Sequence, residues 1–146
     1  MNQVVVKQEK SGYQIVEAYK SLRTNLQFCG EDKKVIAVTS CTPNEGKSSV
    51  SMQLGISLAE SGKRVILIDA DLRKSVLLGR TKTQKSVRGL AHFLSGQATL
   101  EDVICSTNVK NFYMIYSGPF PPNPAELLGG KNFRSLLNAL RKFTIM

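Results

Sequence analysis

The chain has 146 residues, of which 42% are hydrophobic and 21% charged, and a formal net charge of +9. This length suits one domain with a sizeable core, and the ordinary composition excludes the disordered, collagen-like and coiled-coil classes. No apolar run is long enough for a signal peptide or a membrane span, and the three cysteines lack metal-ligand spacing, so we expect a cytoplasmic protein with reduced thiols.

The first predicted element is a helix over residues 11–28. Ser11 and Gln14 have the spacing of a capping box. Apolar residues then recur at helical intervals: Ile15, Ala18, Tyr19, Leu22 and Leu26. The run VIAVTS at 35–40 follows a charged segment. It is apolar, β-branched and too short for a helix, which predicts a buried parallel strand.

A second helix is predicted from Lys47 to Ser61, where Gly62 ends it. Its apolar stripe comprises Val50, Leu54, Ile56 and Leu58. The run RVILIDAD at 64–71 then predicts a second buried strand that ends in two carboxylates. One helix fills the gap between the strands, so the three elements form a βαβ unit whose strands have their carboxyl ends at the same edge.

Residues 72–85 are predicted to form a loop, and the surrounding stretch contains cations but no acidic residue. The cations are Arg73, Lys74, Arg80, Lys82, Lys85 and Arg88. Such a stretch fits nucleic acid or an anionic membrane, but a solvated loop face is the favoured interpretation. No aromatic residue is interleaved for base stacking and no nucleic-acid module is visible, so DNA binding is the minor alternative.

The C-terminal third contains short predicted elements. A helix is predicted around 90–94, followed by a helix opened by Thr99 with Asp102 three residues on. A strand is predicted at 112–118. The next helix has Asn123 as N-cap, Pro124 at its first position and Glu126 in its first turn, and a last helix covers 132–142.

The segment CTPNEGKS, residues 41–48, lies between the first strand and the second helix. A phosphate-binding loop needs backbone amides around the anion, a helix N-terminus behind them, a lysine and a magnesium-binding hydroxyl. The end of the segment, GKS, supplies the last part of that pattern. Cys41 replaces the usual first glycine at a position that needs only a small side chain, and Asn44 tolerates positive φ.

Asp69 and Asp71 stand two residues apart where the second strand ends, so their side chains point the same way if the strand stays extended. Two carboxylates beside a phosphate loop suit magnesium binding or a base for an attacking hydroxyl. The alternative is that one of them is an N-cap or a loop partner of Arg73.

Four stretches together resemble the cytoplasmic kinase domain of bacterial tyrosine kinases of capsule and exopolysaccharide production. They are EAYKSLRTNLQF, VTSCTPNEGKSS, RVILIDADLRKS and SGPFPPNPAELL. The resemblance implies an α/β P-loop NTPase fold, with a mostly parallel sheet between two layers of helices, and an ATP- and Mg²⁺-dependent protein-tyrosine kinase.

The resemblance also assigns residues. Its Walker A loop at 41–49 binds ATP through Cys41, Thr42, Pro43, Asn44, Glu45, Gly46, Lys47, Ser48 and Ser49. Lys47 would hold the β- and γ-phosphates, and Ser48 and Asp69 the magnesium. Asp69 and Asp71 are the Walker A′ aspartates of 65–71, and which of them is the base stays open.

Family members phosphorylate tyrosines in their own C-terminal tail, in trans within a ring, and need a membrane-bound activator that recruits them to the inner face of the membrane. The ring-forming pattern E-x-x-R-x-x-R corresponds here to Glu17, Lys20 and Arg23. An ammonium replaces a bidentate guanidinium at Lys20, which counts against a ring. The alternative is a solvated helix face with a weak pair between Glu17 and Lys20.

The resemblance predicts that 1–146 is one incomplete P-loop domain. The family continues after the last helix with a Walker B strand and a tyrosine-rich tail, and FTIM resembles the start of that strand. The tyrosines present are predicted to be structural: Tyr13, Tyr19, Tyr113 and Tyr116.

Two other functions remain open. One is a catalytically impaired module that binds nucleotide weakly or only docks on the activator. The other is a partitioning-type or Mrp-like P-loop ATPase, although those proteins place an extra lysine early in the loop and none lies between Ser40 and Glu45.

Overall fold

The computed structural model describes residues 2–6, 13–30, 34–38, 47–70, 81–83, 88–118 and 122–143, with the backbone alone at 13, 47, 48, 81–83 and 143. These residues form one mixed sheet with helices on both faces. The strands are β1 Asn2–Val6, β2 Val65–Ile68, β3 Thr81–Thr83, β4 Cys105–Thr107 and β5 Phe112–Ile115. The helices are α1 Tyr13–Phe28, α2 Lys47–Glu60, α3 Leu90–Leu94, α4 Leu100–Val103, α5 Pro124–Leu128 and α6 Lys131–Phe143.

The strand order is β2-β5-β4-β1-β3. The pairs β2–β5 and β1–β4 are parallel, whereas β1–β3 and β4–β5 are antiparallel. The α/β class is therefore confirmed, and the sheet is mixed where the sequence predicts a mostly parallel one. β4 and β5 are antiparallel because the short turn of residues 108–111 joins them. β3 lies beside β1 at the edge of the sheet and runs antiparallel to it.

Side chains of β5 alternate between two cores, as expected for a strand with both faces covered. Phe112, Met114 and Tyr116 join the core under α2, whereas Tyr113 and Ile115 join the core under α3, α4 and α6. The three-layer arrangement follows from this alternation. Within the described residues no helix has the length and apolar character that a bilayer crossing requires.

All six predicted helices are present, with ends that differ by a residue or two, and three strands were not predicted. β1, β3 and β4 were missed, and β3 lies inside the predicted loop 72–85. The capping box of α4 is confirmed, since the Asp102 amide donates to the Thr99 hydroxyl at 3.4 Å and the Thr99 amide to the Asp102 carboxylate at 3.0 Å. Asn123 is the N-cap residue of α5, with Pro124 and Glu126 in the first turn as predicted. Its side chain makes no capping hydrogen bond, and its amide group donates to the Glu126 carboxylate at 3.4 Å.

The strand predicted at 35–40 is wrong for its described part. Residues 34–38 form no strand, and Val35 and Ile36 are 52% and 46% exposed. The segment lines the same cleft as β2 and makes no ladder hydrogen bonds to it, so within the described part of the chain β2 pairs with β5 alone. Apolar β-branched composition favours a strand only where a partner strand and cover on both faces are in place.

The predicted helical stripes are buried only in part. In α2 the residues that face the sheet are Met52, Ile56 and Ala59, while Val50 is exposed. In α1, Ile15 and Leu22 are exposed as well. α1 packs chiefly on α2, so only part of its predicted stripe is covered.

Candidate functional site

α2 packs against β2, and the start of the helix lies at the same end of this pair as the end of the strand. Residues 61–64 connect the end of α2 to the start of β2, and the two elements pack against each other, so they run in opposite directions. The first residue of α2, Lys47, therefore lies toward the end of β2, where Asp69 follows. This end is where the sequence predicts the phosphate site, although Cys41–Gly46 and Asp71 lie outside the described residues.

Asp69 is held at the end of β2 by the sheet. Its backbone amide donates to the carbonyl of Ile115 at 2.9 Å, which extends the β2–β5 pairing by one residue. The residue is only 8% exposed. A carboxylate is costly to bury unless hydrogen-bond or cationic partners compensate it. A buried carboxylate at the end of a strand is therefore a candidate functional group.

The end of β5 is fixed by the start of α3. The amide of Leu90 donates to the carbonyl of Tyr116 at 2.6 Å, and that of Ala91 to Ser117 at 2.9 Å. Gly89 and Gly118 touch through their backbones, so a Cβ added at Gly89 would lie 2.5 Å from the Gly118 Cα. This glycine contact was not predicted, because nothing in the local sequence indicates which backbones cross.

α2 is held closely against the sheet in its middle and tied to α1 near its end. A Cβ added at Gly55 would lie 2.8 Å from the Phe112 ring, so the glycine lets the helix approach β5. Near the end of α2, Nη1 of Arg23 donates to the Ser57 carbonyl at 2.8 Å and to its hydroxyl at 3.3 Å. The sequence singled out Arg23 for a contact between subunits, whereas here its Nη1 binds within the chain.

The other two residues of the predicted oligomerisation pattern form a surface pair. Nζ of Lys20 lies 3.5 Å from Oε1 of Glu17, and the two side chains are 49% and 45% exposed. An exposed pair of this kind stabilises a helix by about 0.3–0.5 kcal/mol. The pair matches the weak interaction that the sequence offered as an alternative.

A cleft of about 560 Å³ runs along the free side of β2. Ile36 and Val38 line it on one side, Leu54 and Leu58 of α2 on another, and β2 forms its floor. The lining of the cleft also includes Ser51, so the cleft reaches to about one turn from the first residue of α2. The cleft is a gap in the sheet layer beside β2.

The remaining candidates carry little chemistry of their own. Cys105 is fully buried, and burial raises the pKa of its thiol to about 11, whereas Cys29 is exposed. The backbone and side chain of Thr99 lower the pKa of the Asp102 carboxyl by hydrogen bonding to it. In the described part of the chain no three histidine, cysteine or acidic side chains gather as a metal cluster. Tyr116 is buried and Tyr113 partly buried, which fits their predicted structural role.

The sheet lies between two layers of helices. A G-K-S sequence leads into the helix α2, and the neighbouring strand β2 is followed by a buried aspartate. These features together define a P-loop NTPase fold. A family model described as an AAA domain matches residues 33–138, and the chain belongs to that family.

Named relatives narrow the class. Tyrosine-protein kinase CpsD of Streptococcus pneumoniae serotype 4 is 44% identical over 127 residues, which are 87% of this chain and 56% of that protein. Tyrosine-protein kinase YwqD of Bacillus subtilis is 39% identical over 122 residues, 82% of this chain and 51% of that protein. The solved kinase domain of Escherichia coli tyrosine kinase ETK matches with a TM-score of 0.82 and 36% identity, covering 90% of this chain and 52% of that one.

These similarities confirm the resemblance to bacterial tyrosine kinases and favour it over a partitioning-type ATPase. The chain spans about half the length of the curated relatives it matches.

Proposed function

We propose that the chain is the ATP-binding part of an autophosphorylating protein-tyrosine kinase that regulates capsule or exopolysaccharide production. The proposal rests chiefly on one juxtaposition: α2 begins at Lys47, toward the sheet edge where buried Asp69 ends β2. A helix N-terminus offers free backbone amides and a partial positive charge to an anion. In this proposal Lys47 holds the β- and γ-phosphates of ATP with the amides of the 41–46 loop.

The residues proposed for magnesium fit a hard cation. Ser48 contributes a hydroxyl and Asp69 a carboxylate, and Mg²⁺ prefers such oxygen ligands. When bound, the ion neutralises charge on the phosphates. Asp69 or Asp71 accepts the proton of the attacking tyrosine hydroxyl, and the burial of Asp69 keeps bulk water from competing for it.

We further propose that this domain assembles with copies of itself and with a membrane-bound activator at the inner face of the membrane. Exposed apolar side chains on α1 support self-assembly, since Ile15 is 52% and Phe28 85% exposed. Burial of such side chains against another copy of the chain is favourable. The proposed substrates are protein tyrosines, and nucleic acid has no place in this proposal.

Replacing Lys47 tests the nucleotide site. Lys47→Met removes the charge at the phosphates, and we expect it to abolish ATP binding in titration calorimetry. Lys131→Met is the matched control because Lys131 is also the first residue of a helix, α6, and is exposed. ATP affinity retained in Lys47→Met would contradict the proposal.

Kinase activity needs a separate measurement. The chain is incubated with ATP, magnesium and a tyrosine-containing tail peptide, with and without the activator segment, and blotted for phosphotyrosine. We expect a signal in the unchanged chain that Lys47→Met abolishes. Binding without any phosphotyrosine, even with the activator, would instead indicate a docking module.

A further inference from the structure

Arg23 of α1 reaches the last turn of α2. Its Nη1 donates to two oxygens of one residue, the carbonyl of Ser57 at 2.8 Å and the hydroxyl at 3.3 Å. Ser57 is 6% exposed, so water has little access to these acceptors. Hydrogen bonds from a charged donor to partly desolvated acceptors are stronger than neutral ones.

α2 has no cation of its own in its last turn and ends at Glu60. The end of a helix carries a partial negative charge and carbonyl groups without helical partners, which a cation there satisfies. The Ser57 carbonyl already accepts from the Ser61 amide at 3.3 Å. Arg23 therefore adds, from a neighbouring helix, a positive charge at the last turn of α2, which has no basic residue of its own.

We propose that Arg23 is a positioning residue for the phosphate-binding helix. By fixing the end of α2 against α1, it sets where the start of α2 lies at the edge of the sheet. A helix of 14 residues is stiff and about 20 Å long, so a displacement at Ser57 is carried to Lys47. The proposal rests on the proposed nucleotide site and adds to it a mechanical link from α1.

The role differs from the contact between subunits predicted from the spacing of Glu17, Lys20 and Arg23. Glu17 and Lys20 face solvent as a pair, while Arg23 is partly buried against α2. One helix thus has an outward side available for contacts and an inward arginine that holds α2. Contacts made on the outward side of α1 therefore change the affinity for nucleotide through Arg23. By thermodynamic reciprocity, nucleotide binding changes the affinity of those contacts.

The test measures the dissociation constant of a fluorescent ADP analogue by anisotropy, well below the unfolding temperature of each variant. We expect Arg23→Gln to weaken binding about three- to tenfold, the range that couplings of this kind give. Arg23→Lys keeps one charged donor and should fall between Arg23→Gln and the unchanged chain. The matched control is Arg134→Gln, an exposed arginine on α6, which should bind as the unchanged chain does.

Hydrogen exchange separates positioning from a merely structural role. In the unchanged chain, the ADP analogue should slow exchange of α1 backbone amides around Arg23, and in Arg23→Gln that slowing should be lost even where nucleotide saturates the site. If Arg23→Gln does not fold, Arg23→Lys carries both measurements. Unchanged affinity together with retained slowing in α1 would overturn the role of Arg23. Failure of the unchanged chain to bind the analogue would overturn the nucleotide site itself, and this proposal with it.

Discussion

The contact between Gly89 and Gly118 makes Gly89→Ala a severe change. Gly89 has φ −120° and ψ −173°, which alanine adopts freely, so any cost comes from lack of space. The new Cβ would lie 2.5 Å from the Gly118 Cα and 2.7 Å from the Ser117 carbonyl carbon, against a comfortable separation of about 3.5–4.0 Å. Both neighbours are backbone atoms, so they cannot yield by rotating a side chain.

The cost follows from what must move. Overpacking of this kind costs about 1–3 kcal/mol. Separating the two backbones also stretches the bonds from the Leu90 and Ala91 amides to the end of β5, at roughly 1 kcal/mol each. We therefore expect Gly89→Ala to lower the free energy of unfolding by about 3–5 kcal/mol, a large share of the roughly 5–15 kcal/mol of a typical domain.

Urea unfolding followed by circular dichroism measures the loss. The matched control is Gly129→Ala, because Gly129 also has negative φ, −83°, but its nearest neighbour to an added Cβ is 3.4 Å away. That control should stay within about 0.5 kcal/mol of the unchanged chain. Equal unfolding midpoints for the two variants would show that the backbones at Gly89 and Gly118 separate at little cost, which refutes the packing argument.

Three further predictions concern buried side chains. Leu136→Ala should lower the free energy of unfolding by about 2–5 kcal/mol, since Leu136 is fully buried on α6, and clearly more than Leu137→Ala, which removes a partly exposed side chain. In a Cys41→Ser background at pH 8, a thiol reagent should label Cys29 quickly and Cys105 only as fast as the protein unfolds. Burial raises the pKa of the Cys105 thiol to about 11, above the value of about 8.5 in the unfolded chain. The stability contributed by the buried neutral thiol is therefore complete below about pH 8.5 and is lost as the pH rises towards 11. In urea unfolding, Cys105→Ala should lack this alkaline decline.

Elements with a local signal could be predicted from the sequence. α2 and β2 have apolar patterns long enough to distinguish helix from strand, and glycine marks the turn between them. β1 and β4 lack such a signal. They are short and stabilise each other across the chain, with Asn2 opposite Cys105, so neither indicates a strand when read alone.

In the candidate site, too, some features have a local signal in the sequence and others depend on distant parts of the chain. The places of Lys47 and Asp69 followed from motifs within single segments and from the order of the elements. The hydrogen bond from Arg23 to Ser57 depends on how two helices dock, which their sequences do not specify separately. The strand predicted at 35–40 shows the reverse case, in which local composition was favourable and no neighbouring strand pairs with the described residues.

The interior place of β1 in the sheet has a consequence for biosynthesis. Asn2–Val6 lies between β4 and β3, and its parallel partner, Cys105–Thr107, is made about 100 residues later. At about 5–20 residues per second, the ribosome needs roughly 5–20 s to deliver that partner. Throughout that interval the nascent QVVV segment remains without its parallel partner, which makes it a natural target for chaperones that bind extended apolar chains.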